Sequence, residues 1–147
     1  FSDFPASKEA NVTSGEFTLD GYTFAFSSPV PFYLSKNNRI RFESGITKSN
    51  VAMIKLPVIP NYKLTSVTLA SIDINSKRNY MFAITDAQQT VITGGKAYKL
   101  TDVHYSYNLT LPSDDTECYI CISHTSSSGN TNVVDLSYIS LTYSIIE

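Results

Sequence analysis

Apolar and polar residues alternate along short stretches of this chain with a period close to two. Such alternation is typical of half-buried β-strands, because successive side chains of a strand point to opposite faces of its sheet. We find no sustained helical period and no internal repeat. The alternating runs fall at residues 17–19, 22–26, 32–35, 39–44, 51–57, 64–74, 79–85, 90–93, 96–98, 104–111, 117–123 and 136–145. The pattern therefore predicts nine to eleven strands.

Turn-forming residues separate these runs. Asp20-Gly21 predicts a β-hairpin, because a type I′ turn needs a positive φ at both central residues, and Gly94-Gly95 predicts a second one. Pro57 and Pro60 are expected to end a strand where the chain crosses between sheets, since proline cannot donate to a ladder. Strands spaced about 8 to 12 residues apart favour an all-β, two-sheet antiparallel sandwich, either a simple sandwich or a jelly roll.

The composition supports the same fold class. Val, Ile, Thr, Tyr and Phe number 55, against 35 for Ala, Leu, Glu, Met, Lys and Gln. A chain of 147 residues is the size of one domain. Residues 1–14 lack periodicity and are expected to be a flexible linker or arm, and residues 15–147 a single β-sandwich domain.

Charge limits the partners. The net charge is −2 and only 16% of residues are charged, so the positive field that nucleic-acid binding needs is missing. We find no apolar run long enough for a transmembrane segment and no basic, apolar leader at the start of the chain. Because charged residues are few, Ser, Thr, Asn and Tyr must supply most of the polar surface. This composition favours a secreted or cell-surface protein.

No arrangement of reactive side chains predicts catalysis. Cys118 and Cys121 form a C-x-x-C, but residues i and i+3 of a strand face apart at about 10 Å, beyond the reach of a disulfide. Extending this spacing to His124, with His104 as a fourth ligand, would need an irregular segment to make a zinc site. We find no nucleophile elbow, phosphate loop or paired glutamates, and we predict that the protein is not an enzyme.

The sequence is rich in tyrosine, with ten tyrosines and no tryptophan. Exposed tyrosine rings near turns can stack on the apolar face of a sugar while polar side chains bond its hydroxyls. The alternative is that each tyrosine serves only as a half-buried strand residue. The predicted ligand-binding residues are Tyr33, Tyr62, Arg78, Tyr98 and His104.

Four stretches, at residues 15–24, 52–57, 63–68 and 136–143, resemble the galactose-binding-like jelly rolls appended to secreted or lipid-anchored bacterial proteins. The last stretch, Tyr138-Ile139-Ser140-Leu141-Thr142-Tyr143, is similar to the final strand of carbohydrate-binding modules of that fold. The resemblance implies a structural calcium between an early and a late acid, for which Glu16 and Asp135 are the matching positions. It also implies a fold and a secreted setting; the tryptophans of the sugar-binding members are missing here.

These observations favour a non-catalytic, secreted or cell-surface carbohydrate-binding module. Its expected partner is a glycan or oligosaccharide, with other domains in a larger parent chain and no cofactor other than that calcium. The alternative is a structural or protein-interaction module, such as an adhesin or surface-assembly subunit, that uses the arm of residues 1–14 or exchanges strands.

Overall fold

A computed structural model describes residues 4–35, 39–71, 79–89, 91–99, 103–108, 117–124 and 133–146. These residues form a 3₁₀ helix, Lys8–Ala10, and eleven strands. The strands are β1 (Ser14–Leu19), β2 (Tyr22–Ser27), β3 (Phe32–Leu34), β4 (Ile40–Phe42), β5 (Ala52–Lys55), β6 (Tyr62–Ser71), β7 (Asn79–Thr85), β8 (Val91–Lys99), β9 (Val103–Asn108), β10 (Tyr119–His124) and β11 (Val134–Ile145).

The strands form two antiparallel sheets, and the strand pairs within them are nested in the sequence. One sheet has the order β1-β2-β5-β10-β7-β8 and the other β3-β4-β11-β6-β9. Strands β7 and β8 form the innermost pair, enclosed in sequence by β6 with β9, β5 with β10 and β4 with β11. Four nested pairs shared between two sheets make a jelly roll. The predicted all-β jelly-roll sandwich is therefore confirmed.

The first hairpin forms as the local sequence predicts. Leu19 pairs with Tyr22 across the turn, and the two residues between them have positive φ, 51° at Asp20 and 83° at Gly21. Both angles lie in the left-handed region that Asp and Gly tolerate best. This turn places Asp20 and Tyr22 at the tip of the β1–β2 hairpin.

The second predicted hairpin is wrong. Gly94-Gly95 lies inside the continuous strand β8, at a shift in the register between β7 and β8. Glycines in a strand interior often mark such bulges. The hairpin turn lies earlier, where the Gln89 N–H donates to the Asp86 carbonyl at 3.1 Å and Gln89 has a φ of 65°.

A cluster of phenylalanine rings fills the core between the sheets near β1–β4. The Phe4 ring stacks on Phe17 with a centroid separation of 4.3 Å and meets Phe26 edge to face at 5.1 Å. The Phe32 ring contacts both Phe4 and Phe26, with centroid separations of 6.2 and 5.3 Å, and is completely buried. Aromatic pairs in these geometries are favourable beyond the area that they bury.

The segment expected to be an arm lies, over residues 4–13, against the sandwich. Phe4 is only 6% exposed. The Leu34 N–H donates to the Pro5 carbonyl at 2.8 Å, and the Phe32 N–H donates to the Val12 carbonyl at 3.0 Å. The structure thus places the segment in contact with β3, whereas the sequence predicts a flexible arm. One large ring and a few backbone hydrogen bonds hold this segment, and these contacts need no periodic pattern of apolar residues that a sequence would reveal.

Candidate functional site

The residues predicted to bind a ligand lie in different parts of the fold. Tyr33 is on β3, at one edge of the five-stranded sheet. It is half-buried, and its hydroxyl donates to Glu43 Oε1 at 2.8 Å. Burial first, and then the hydrogen bond to Glu43, raise the pKa of Tyr33. The hydroxyl of Tyr33 is therefore engaged within the protein.

Tyr62 is 38% exposed at the start of β6, where it pairs with Ile145. The backbone of Tyr98 lies on β8 and that of His104 on β9. The side chains of these two residues, and the whole of Arg78, lie outside the described residues. Strands β3 and β9 are opposite edges of one sheet. At ~4.8 Å between neighbouring strands, Tyr33 and His104 are roughly 19 Å apart. The structure does not bring these two positions together.

The acids matched to a calcium site do not share one location either. Asp135 is 3% exposed and accepts two hydrogen bonds from Arg41, at 2.7 Å from Nε and 2.9 Å from Nη2. Its neighbours in β11 point into the core, so Asp135 faces outward from the five-stranded sheet. Glu16 faces outward from the other sheet, because Phe17 points inward. Two carboxylates on opposite outer faces cannot bind the same ion.

Burial suppresses the reactivity of the thiols. It raises the pKa of Cys118 and of Cys121 to about 11, and both cysteines are free. Cys118 belongs to the core, as predicted. Burial also lowers the pKa of His124. Within the described part of the chain, no group of three or more His, Cys, Asp and Glu side chains is arranged to hold a metal ion.

A groove of about 670 Å³ lies beside the second half of β11. Three parts of the chain line it: the tip of the β1–β2 hairpin, the loop after β5 and the strand β11. The lining residues are Leu19, Asp20, Tyr22, Phe24, Pro57, Ile59, Ser137, Tyr138, Ile139, Ser140, Leu141 and Tyr143. Five consecutive residues of β11 and none of β6 line it, so the groove follows the edge of β11 that faces away from β6.

Strand β4 is short and pairs with only the first residues of that edge. Strand β4 pairs with β11 only over residues 134–136, whereas β6 pairs with β11 as far as Ile145. Among the described strands, none pairs with the β4 side of β11 beyond Leu136. The groove thus runs along an edge of backbone rather than between side chains alone.

A β-bulge gives the groove its floor. The register of β11 against β6 shifts between Leu136 and Tyr138, so the alternation of inward and outward side chains changes there. After the bulge, Ile139 and Leu141 pack against the core. The buried ring of Phe24 lies opposite them, and the floor is apolar.

Two exposed tyrosines and one carboxylate form the rim. Tyr22 is 50% exposed and Tyr138 is 45% exposed, and Asp20 lies beside Tyr22 at the hairpin tip. Tyr143 closes one end of the groove, because its hydroxyl donates to the Pro57 carbonyl at 2.5 Å. Burial raises the pKa of Tyr143 to about 12, so this hydroxyl stays protonated. Exposed rings above an apolar floor suit a ligand that has both flat apolar and polar faces.

Sequence reasoning missed this groove. Asp20, Tyr22 and Tyr138 all lie in the stretches that resemble galactose-binding-like jelly rolls, but Asp20 was interpreted only as a turn residue. The usable signal is Asp-Gly-Tyr, which places an aromatic residue beside the tip of a hairpin. Nothing local indicated that Tyr138 would face the same groove, because this depends on the bulge and on the short β4.

Comparison with known proteins identifies no family. No family model matches the chain, and no curated protein matches it. Two solved structures are similar in outline. One is described as a CBM4, a carbohydrate-binding module; it is 16% identical, with a TM-score of 0.46, and the match covers 82% of this chain and 94% of that one. The other is the enzymatically active domain of tailspike protein 4 from bacteriophage CBA120, 13% identical, with a TM-score of 0.45.

The match to the tailspike covers 91% of this chain but 19% of that one, so this chain spans about a fifth of its length. Both TM-scores lie below 0.5. Across the described ranges, we find no helix with the length and apolar character needed to cross a membrane.

Proposed function

We propose that the protein is a non-catalytic carbohydrate-binding module whose glycan site is the groove beside β11. One observation carries this proposal: Tyr22 and Tyr138 are about half exposed at the rim of a groove with an apolar floor. Exposed apolar surface with a polar rim marks ligand-binding grooves and interaction sites. The site differs from the one predicted from sequence: the side chains of two predicted residues are described, Tyr33 and Tyr62, and neither of them lines it.

The chemistry of the groove suits a sugar. A pyranose ring has an apolar face of C–H groups, which packs favourably on a tyrosine ring, and hydroxyls around its edge. The Asp20 carboxylate accepts hydrogen bonds from hydroxyls, and the Ser140 hydroxyl both donates and accepts. The groove therefore offers stacking and polar contacts within a volume that small-molecule sites typically have.

The described lining favours binding over catalysis. Glycoside hydrolysis usually needs two carboxylates about 5 to 10 Å apart, and Asp20 is the single acid among the residues that line the groove. The lining includes no histidine or cysteine to activate a nucleophile. We also propose a secreted or cell-surface setting, in keeping with the low content of charged residues, in which the module serves a larger parent chain.

The test begins with a glycan array and continues with three tyrosine variants. Tyr22→Ala and Tyr138→Ala are expected to weaken binding of the best array glycan by about tenfold each, whereas Tyr62→Ala is expected to leave it unchanged. Tyr62 is the matched control, because it is a tyrosine of similar exposure, 38%, outside the groove. Loss of binding in Tyr62→Ala with full binding in the other two would refute the groove as the site.

The assembly hypothesis predicts a different result. It would show as concentration-dependent association that is lost when residues 1–14 are deleted. The burial of Phe4 and the backbone bonds of residues 5 and 12 leave residues 4–13 engaged with their own domain. For this reason we place the glycan hypothesis first.

A further inference from the structure

Backbone groups of β11 that do not pair with β6 face the groove, next to its side chains. In an antiparallel pair, each residue directs its N–H and C=O together either toward its partner strand or away from it, and this alternates along the strand. Ile139, Ser140 and Leu141 pair consecutively with β6. At least one of these three residues therefore presents both an N–H and a C=O to the groove, next to the apolar side chains of Ile139 and Leu141.

This open edge is short. Register shifts bracket it, one between Leu136 and Tyr138 and the other between Thr142 and Tyr143. Beyond the second shift, the Tyr143 hydroxyl donates to the Pro57 carbonyl. Bulges bend a strand and interrupt pairing, which is how edges are protected from strand addition. An extended peptide needs several regular residues in register, so the edge suits a ligand with a single amide better.

The charge of the groove further limits the kinds of glycan that it can bind. Among the described residues that line it, Asp20 carries the one formal charge, which is negative. A uronate, sulfate or sialate group would lie close to this carboxylate with no described cation to offset it, and like charges in a partly enclosed groove repel. The lining therefore favours an uncharged glycan.

We propose that the groove recognises the acetamido group of an uncharged glycan containing an N-acetylated amino sugar. This inference rests on the proposed glycan-binding function. An acetamido group is a planar trans amide like a peptide group; its N–H donates to a strand-edge C=O and its C=O accepts from a strand-edge N–H. Its methyl group contacts the floor of Leu19, Phe24 and Leu141. The sugar ring then stacks on Tyr22 or Tyr138 at the rim.

The test compares three β1,4-linked tetramers by calorimetry: N-acetylglucosamine, glucosamine and glucose. They share length and linkage and differ at one substituent. Two hydrogen bonds and a buried methyl group are expected to make the N-acetylated tetramer bind at least tenfold more tightly than the glucose tetramer. The glucosamine tetramer lacks the carbonyl and the methyl group but carries positive charge that Asp20 attracts. The acetamido inference expects it to bind more weakly than the N-acetylated tetramer; equal or tighter binding would assign the selectivity to charge and overturn the inference.

Two controls locate the effect and separate the outcomes. Tyr22→Ala should weaken binding of the N-acetylated tetramer and Tyr62→Ala should not. Equal or tighter binding of the glucose tetramer would overturn the acetamido inference and leave the glycan function standing. If no tetramer and no array glycan bound, the proposed function itself would fail. Displacement of the N-acetylated tetramer by tetra-alanine with a free N-terminus, at comparable affinity, would also overturn the inference, because the edge would then accept a peptide strand.

Discussion

Replacing Phe4 by alanine tests whether the first residues belong to the folded domain. The Phe4 ring is 6% exposed and contacts the rings of Phe17, Phe26 and Phe32, with centroid separations of 4.3, 5.1 and 6.2 Å. Truncating a buried phenylalanine in a core costs about 3 to 5 kcal/mol, because the cavity adds to the lost transfer energy. A free arm would lose nothing.

The position of Phe4 near the end of the chain lowers that expectation. The Phe4→Ala change leaves a cavity. If the cost of that cavity exceeds the free energy that holds residues 4–13 against the sandwich, the segment detaches. The loss in the free energy of unfolding then cannot exceed that holding energy. Three backbone hydrogen bonds, accepted by the carbonyls of Pro5, Val12 and Thr13, contribute about 1 kcal/mol each. We therefore expect Phe4→Ala to lower the free energy of unfolding by about 2 to 4 kcal/mol, and the Tm by roughly 4 to 16 °C for a chain of this length.

The assay is urea denaturation followed by circular dichroism, together with limited proteolysis. Ile145→Ala is the control, because this large side chain is 67% exposed and its truncation should change stability by less than about 0.5 kcal/mol. Proteases should leave residues 4–13 intact in the parent and cleave them in Phe4→Ala. A change as small as that of Ile145→Ala, with rapid cleavage of the parent chain, would refute the packing of this segment.

Three other predictions follow from buried polar groups. Arg41→Ala should destabilise the protein by about 2 to 3 kcal/mol in urea, at the low end for a broken buried pair because Arg41 is one-third exposed; an unchanged midpoint would contradict this. His124 has a lowered pKa, so stability should be full above pH 6.5 and fall as pH drops below it, and His124→Gln should reduce that slope. Cys118 and Cys121, with pKa values of about 11, should resist Ellman's reagent at pH 8 until urea unfolds the chain; fast labelling would contradict their burial.

The sequence predicted correctly those features of the fold that depend on neighbouring residues in the chain. Asp20-Gly21 makes a hairpin wherever the flanking strands pair, because the turn depends on its own two φ angles. The alternating run at residues 136–145 likewise predicted a strand, and β11 spans Val134–Ile145. These features need little information from the rest of the chain.

Other features depend on distant partners, and sequence reasoning failed there. Gly94-Gly95 looks like a turn, but pairing with β7 absorbs both glycines into a strand. Phe4 lies in a segment without periodicity, and its burial follows from three rings that come from other strands. The groove joins Asp20, Pro57 and Tyr138, residues far apart in sequence, because β11 inserts between β4 and β6.

The most direct test of the glycan site is an amide NMR titration with the best-binding array glycan. The account predicts that the largest shifts fall at residues 19–22, 58–59 and 138–143, with little change at Tyr33, Tyr62, Tyr98 and His104. Shifts centred on those four residues, or spread over β8 and β9 while the groove amides stay unmoved, would contradict the assignment of the groove as the binding site.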